Sequence, residues 1–425
     1  MNIVLRLVQA VLPGRRAGKF LRGKHRVVCA LGIGMWIVHD ASAAIVEPGP
    51  LEFYVADELS YDDNLFRVPD GMVASDLPAL TVKSLDDYSN RASAGVHAHW
   101  DTGRQVIGIH LRVDDVRFNN NDDLNYTDGN GSVAWDWQAG KRWSGVFNAQ
   151  YDRSMASFSN YRFFTQDLVD IFSYWAEARY RIGSRWRLLG AGSNSKTEHS
   201  AEARRFENFD SQTRRAGLEY HTPSDNVMAL EYRYTDADFQ GVDGLSGDFT
   251  RRYRERVPGV RATYAFTGKT TFDGRFGYLE RDYANPVAAD LAGDIWNASL
   301  RWEPTAKTSF DFKWWHELKA YSDAESQYFV ANGGSIGPTW APTFKLALSL
   351  LLSLEDQNYV MAGVLLPDPV PRRRDRVEAA QISIDSLLSR SVTFKLLYRW
   401  VDHQSNRDLL SYRENLVSAQ VQIAL

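Results

Sequence analysis

From Arg91 to Trp100 the chain keeps a strict period of two. Ala92, Ala94, Val96, Ala98 and Trp100 fall on one face, and Arg91, Ser93, Gly95, His97 and His99 on the other. Successive side chains of a strand point to opposite sides, so this rhythm specifies a strand with one apolar and one polar face. It continues almost without interruption to the C-terminus. Phe172 to Ile182, Met228 to Thr235, Trp296 to Glu303, Phe344 to Ser353, Val392 to Trp400 and Val417 to Leu425 all alternate in the same way. No run of about 20 apolar residues is present that would make a transmembrane helix.

A soluble sandwich alternates too, and two further features separate it from a membrane barrel. Short turns near Gly103, Gly140, Gly183, Asp225, Gly268, Thr305, Pro342 and Ser389 take turns with longer polar loops. Those loops fall near Asn120, Asn160, Lys196, Gly241, Asn285, Ser322, Pro367 and Asn406. Outer-membrane barrels have this asymmetry, with the short turns on the periplasmic side. Aromatics also gather toward strand ends, at Trp100, Trp135, Trp137, Trp143, Trp186, Trp302, Trp314 and Trp400. Membrane interfaces favour such residues, because the ring is apolar while its N–H still needs a partner. The reading is an all-β, transmembrane, antiparallel up-and-down β-barrel of about 16–18 strands in a Gram-negative outer membrane. A closed sheet of that size is wide enough for a water-filled interior.

The first 44 residues read as a secretory leader, which leaves 45–425 for the barrel. Arg15, Arg16, Lys19, Arg22, Lys24 and Arg26 precede the apolar stretch Val27–Val38, and Ala41-Ser42-Ala43-Ala44 supplies a cleavage site near Ala43 or Ala44. The single cysteine, Cys29, lies inside that apolar stretch, so the exported chain is held without disulfides. The leader carries seven Lys/Arg and one acid. Of the chain's 49 bases and 53 acids, 42 and 52 remain, a formal charge of −10. Nucleic acid is thereby an improbable partner, since binding phosphates calls for a basic face.

After the first strand comes Tyr61-Asp62-Asp63-Asn64-Leu65-Phe66-Arg67, and a weaker motif, Gly337-Pro338-Thr339-Trp340 with Lys345, lies further on. With the leader and the barrel rhythm, these residues resemble the EpsL-type outer-membrane proteins of exopolysaccharide operons, within the β-barrel porin families. The resemblance implies a part in export or assembly of extracellular polysaccharide, and it brings no catalytic residues. Leu425 departs from the terminal Phe usual in outer-membrane barrels, which bears on the signal read by the barrel assembly machinery. Within the motif, Leu65 and Phe66 are expected to anchor at the membrane boundary. Asp62, Asp63 and Asn64 are expected to cap a turn through their own backbone. A calcium or lipopolysaccharide bridge and a substrate contact remain the alternatives for these three.

If the apolar faces meet lipid and lipopolysaccharide, the alternate positions line the lumen. Arg112, Arg179, Arg181, Arg187, Arg233, Arg261, Arg301, Lys345 and Arg399 fall there and outnumber the interior acids counted, among them Asp114, Glu177, Glu219 and Glu231. Guanidinium forks suit carboxylates, and Trp175 and Trp315 offer faces on which sugars stack, so an anionic or neutral polysaccharide is the expected cargo. The bland alternative is that arginines and acids on adjacent strands satisfy each other. His97, His99 and His110 share an interior face but lack a third fixed ligand type, so no metal is assigned. No cofactor motif, phosphate loop or nucleophile elbow is present. The leading function is thus polysaccharide export with a periplasmic export component. An uptake porin, general or sugar-specific, is the alternative, and a lipid- or polymer-directed barrel enzyme is a third reading.

Overall fold

The computed structural model describes residues 50–77, 82–159, 164–239, 252–284, 290–320, 326–361, 372–407 and 409–425. The leader with Cys29, the cleavage site at Ala43/Ala44, and the loop positions Asn160, Gly241, Asn285, Ser322 and Pro367 lie outside the described residues.

The alternating segments form strands, except that Phe344 and Lys345 fall in a turn. The first nine are β1 (Leu51–Asp62), β2 (Asp87–Asp101), β3 (Gln105–Phe118), β4 (Tyr126–Ala139), β5 (Trp143–Met155), β6 (Leu168–Ile182), β7 (Trp186–His199), β8 (Phe209–His221) and β9 (Val227–Phe239). The second nine are β10 (Tyr253–Thr267), β11 (Thr270–Tyr283), β12 (Leu291–Thr305), β13 (Thr308–Ala320), β14 (Ser326–Thr343), β15 (Leu346–Met361), β16 (Arg374–Leu387), β17 (Val392–Ser405) and β18 (Tyr412–Ala424). Each pairs antiparallel with the next in one 18-stranded sheet, and β1 pairs with β18. The seam runs from Tyr54↔Ala424 to Asp62↔Leu416. Closure gives every strand two hydrogen-bonded neighbours, which is what hydrocarbon demands of a sheet.

Turns of two to five residues close one end of the barrel, and both ends of the sheet's chain lie there. Gly103, Gly140 and Gly183 occupy three of these turns with φ of +78°, +62° and +64°, a left-handed conformation that costs glycine little. Asp225 takes the same conformation in the turn between β8 and β9.

The outward face is apolar, with Leu51, Phe53, Val55, Leu111, Val113, Leu230, Val260, Phe276 and Ile382 all exposed. So much contiguous apolar surface suits lipid and not water. Trp143 packs at a tilt on Tyr180 with centroids 4.8 Å apart, and Trp186 packs edge-on against Tyr220 at 5.0 Å, both beside the short turns. Trp100, Trp135 and Trp302 are also exposed toward that end, as part of the expected girdle. Trp314 and Trp400 differ from expectation: they sit near the middle of β13 and β17, so they meet lipid away from the strand ends. Lys196 likewise belongs to β7, and the loop expected there begins after His199.

The facing assignment is directly testable on β15. Leu350 pairs with Ile382 on the outer face, whereas Ser349 pairs with Ser383 inside and shares a 3.2 Å hydroxyl contact with Thr339. Leu350→Arg places a charge in lipid at a cost of about 2–4 kcal/mol and is expected to deplete the heat-modifiable folded species on gels. Ser349→Arg is expected to assemble normally; equal loss in both variants would invert the assignment.

Candidate lumenal site

Inward positions carry a lattice of charge pairs. Arg112 Nε lies 2.8 Å from Asp114, which also meets Arg91 at 3.0 Å, and Arg91 reaches Asp128 at 2.8 Å. Between β6 and β10, Arg179 contacts Glu177 and donates to Glu219, with Nε 3.2 Å from Oε2. Arg215 joins Glu177 to Glu231, at 2.5 and 3.5 Å. Arg261 joins Glu219 to Glu231, at 2.6 and 2.8 Å. Arg233 meets Glu255 at 3.2 Å, Arg301 meets Glu303 at 2.7 Å and Asp311 at 3.3 Å, and Arg399 pairs with Glu414. Six of the nine expected lumenal cations are therefore engaged with carboxylates. Desolvated charges require this, because an unpaired buried ion is far costlier than a paired one.

Two sequence expectations change here. Asp128, Glu255, Asp311, Glu355, Asp375 and Glu414 all make ion pairs with interior cations or their neighbours. Counting them removes the general surplus of lumenal cations; what survives is local. Lys345 is not on the lumen wall. It belongs to the turn between β14 and β15, exposed, with its ammonium 5.8 Å from the centre of the Phe344 ring. By contrast Arg181 and Arg187 do face inward, opposite one another on β6 and β7.

Trp175 faces inward between Asn148 and Ser193. Trp315 lies against the wall over Gly333, where a Cβ would come within 2.4 Å of its ring, and its indole N–H donates to Glu355 at 2.7 Å. Further inward aromatics line the loop end of the wall. Phe329 and Tyr359 lie 4.9 Å apart, Arg373 caps Tyr359 at 4.1 Å, and Arg281 caps Tyr253 at 4.2 Å. Alternation within β10, β14 and β15 carried the signal for these residues.

Two of the three histidines, His97 and His110, pack together. Their rings stack with centroids 4.6 Å apart, and Tyr54, seated over Gly95, reaches His110 Nε2 at 3.1 Å. Among the described residues no group of three or more His, Cys, Asp or Glu side chains could hold a metal ion. Asp167 pairs with His199 at 2.7 Å and Asp375 with His403 at 3.0 Å. In both, the nearby hydroxyl, Ser200 or Ser405, donates to the aspartate and not to the imidazole, so neither is arranged to activate a serine. Burial works against the Asp167 charge, yet His199, the Ala201 N–H and Arg204 hold its carboxyl below the usual range.

The motif after β1 is a clasp and not a membrane anchor. Phe66 is 1% exposed and packs with Leu65, Val68, Leu77, Val82, Leu124, Phe158 and Phe164 in a core built from the first three long loops. The expected turn is present, since the Asn64 N–H donates to Asp62 Oδ1 at 3.0 Å. Arg67 grips Asp62 through both carboxylate oxygens, at 2.9 and 2.8 Å, and Glu414 of β18 at 3.1 Å. Asp63 accepts the backbone N–H and side-chain amide of Asn415, each at 2.6 Å, and Asn64 donates to the Arg413 carbonyl at 2.7 Å. Arg67 adopts φ +57°, a conformation an L side chain takes only when its surroundings fix it. Burial opposes its charge, while Asp62 and Glu414 together hold its pKa above the ordinary guanidinium value.

Residues 253–425, which comprise β10 through β18, match the model of a family described as Putative beta-barrel porin 2. The closed sheet, the apolar belt and the polar interior give the chain the architecture of an outer-membrane β-barrel, and its second half is similar to that family of putative porins. Among solved structures it is similar to a BenF-like porin from Pseudomonas fluorescens Pf-5, at 8% identity over 88% of this chain and 99% of that one, TM-score 0.49. It is also similar to OccK2 (OpdF) of Pseudomonas aeruginosa, at 9% identity over 88% and 98%, TM-score 0.45. A third likeness is to the alcaligin outer-membrane receptor FauA of Bordetella pertussis, at 11% identity over 89% and 76%, TM-score 0.43. Similarity at this level carries no inference about cargo. No curated protein matches the sequence.

Arg67→Ala strands Asp62 and Glu414 without their shared cation, a loss of about 3–5 kcal/mol for a buried pair. A marked fall in the temperature at which the folded gel band converts to the unfolded one is expected. An unchanged transition would remove the clasp from the stability of the barrel.

Proposed function

We propose that this barrel is an outer-membrane channel serving the export or assembly of an extracellular polysaccharide. The observation that carries the proposal is the lumen wall. Arginine–carboxylate pairs alternate there with flat inward aromatics, Trp175, Trp315 and Tyr359, which suits a file of hydroxyl-rich rings. The resemblance of Tyr61–Arg67 to the EpsL-type motif points the same way. Because most guanidinium groups already have a carboxylate, a passing acidic sugar can displace such contacts only in part. Many moderate sites, none of them tight, let a polymer enter and leave. Lipopolysaccharide then surrounds the belt, the barrel assembly machinery reads the β18 end, and a periplasmic export component docks at the short-turn mouth.

A second reading, uptake of sugars through a general or sugar-specific porin, is favoured by the family match over β10–β18. Deletion separates the two. Under export, surface polymer falls and polymer accumulates in the periplasm. Normal surface polymer together with lost growth on a sugar would overturn export and establish uptake.

A further inference from the structure

At the short-turn mouth between β4 and β7 a shallow, open recess is lined by Lys141, Arg142, Arg179, Arg181 and Arg187 and by no carboxylate. Arg142 is engaged by the Tyr180 hydroxyl at 3.0 Å, and Arg179 belongs to the Glu177–Glu219 pairs. Arg181 and Arg187 make no ion pair or side-chain hydrogen bond among the described residues, although they are direct cross-strand partners. Like charges placed opposite each other destabilise a sheet, so the pair is a cost unless something anionic sits between them.

The carboxylate in register with Arg187 is already committed elsewhere. Glu219 is the register partner of Arg187, but its oxygens are taken by Arg261 at 2.6 Å, Arg179 at 3.2 Å and His221 at 3.3 Å. The same hydrogen-bonded row continues around the wall from Glu219 through Ala229 and Arg261 to Arg275, Asn297 and Trp315. Arg181 is next to last in β6, whereas Trp315 lies in mid-strand of β13, so the row climbs from the turn end into the middle of the barrel. Arg275 is a third guanidinium on this row with no ion pair or side-chain hydrogen bond among the described residues. The surplus of positive charge is therefore concentrated where the turn-side mouth opens, with one further station on the way to the aromatic wall.

We infer that Arg181 and Arg187, with Lys141 at the rim, form the entry site for an anionic sugar arriving from the short-turn side, and that Arg275 is the next contact along the row. This rests on the channel reading and specifies its cargo: a saccharide bearing a carboxylate, gripped by paired planar forks that bind such groups bidentately. Neutral sugars lack the group that the unpaired cations require.

Trigalacturonate, with maltotriose as its uncharged counterpart, tests the site on the full-length barrel in two formats. Calorimetry on detergent-solubilised protein reads binding whether or not the pore conducts. Planar bilayers read blockade of current with the probe on either side. Trigalacturonate is expected to bind, to weaken steeply with salt, and to block at lower concentration from the short-turn side. The Arg181→Gln/Arg187→Gln variant is expected to lose about tenfold or more in affinity. Because the substitution removes a like-charge pair, its heat-modifiable transition should stay unchanged or rise, which a structural role would not produce. Equal affinity in the variant, or equal binding of maltotriose, overturns the site. Binding without conductance upholds the site and sinks the channel reading; conductance without binding does the reverse.

Discussion

Hydrocarbon offers no partner to a free N–H or C=O, and everything else in this chain follows from the way its first and last strands meet that demand. The seam joins residues more than 350 positions apart in sequence, and each end of it is fastened separately. At the turn end the Leu425 N–H donates to the Phe53 carbonyl at 2.8 Å and extends the ladder past β18. At the loop end the seam is held by side chains, with Arg67 between Asp62 and Glu414 and Asp63 on Asn415. Once the sheet is closed, alternation sorts every residue into lipid or lumen, and a polar interior becomes obligatory instead of optional.

Inside, the governing cost is desolvation. A guanidinium on the wall is tolerable when carboxylates reach it, and most are shared: Glu219 serves Arg179 and Arg261, and Glu231 serves Arg215 and Arg261. Sharing holds several strands in one charge lattice and leaves little positive charge over. That makes the exceptions informative. Arg181, Arg187 and Arg275 flank a network whose acids are already committed, so positive potential collects near the short turns and along one row of the sheet. Field focused by low-dielectric walls concentrates counter-ions at such a mouth.

The outer face was the legible part of this sequence, because lipid imposes a uniform demand and period two is a local signal. Turns were legible for the same reason, through glycines such as Gly103 and Gly183 that permit positive φ. Interior partnerships were not, since Arg179 finds Glu219 forty residues away, and nothing local to either residue announces the other. Glu255, Glu355 and Glu414 stand among the acids whose partners only the closed sheet reveals. Within the motif, Phe66 reads as an interfacial aromatic until Phe158 and Phe164, from another loop, are packed against it at 4.9 and 5.9 Å. Lys345 continued the alternation on paper, but the strand had already ended in a two-residue turn.

Closure of β1 on β18 is the claim from which the rest is derived, and a cross-link tests it most directly. Ser60 and Ser418 are register partners across the seam, and the only native cysteine, Cys29, precedes the sheet. Cross-strand partners lie about 4.5–5.5 Å apart, within disulfide range. A Ser60→Cys/Ser418→Cys protein in outer-membrane vesicles is expected to oxidise within one chain, giving a reducible, faster-migrating species after heat denaturation. Free thiols after oxidation, or cross-links formed only between chains, would mean that the first and last strands do not meet and that the barrel is not closed as described.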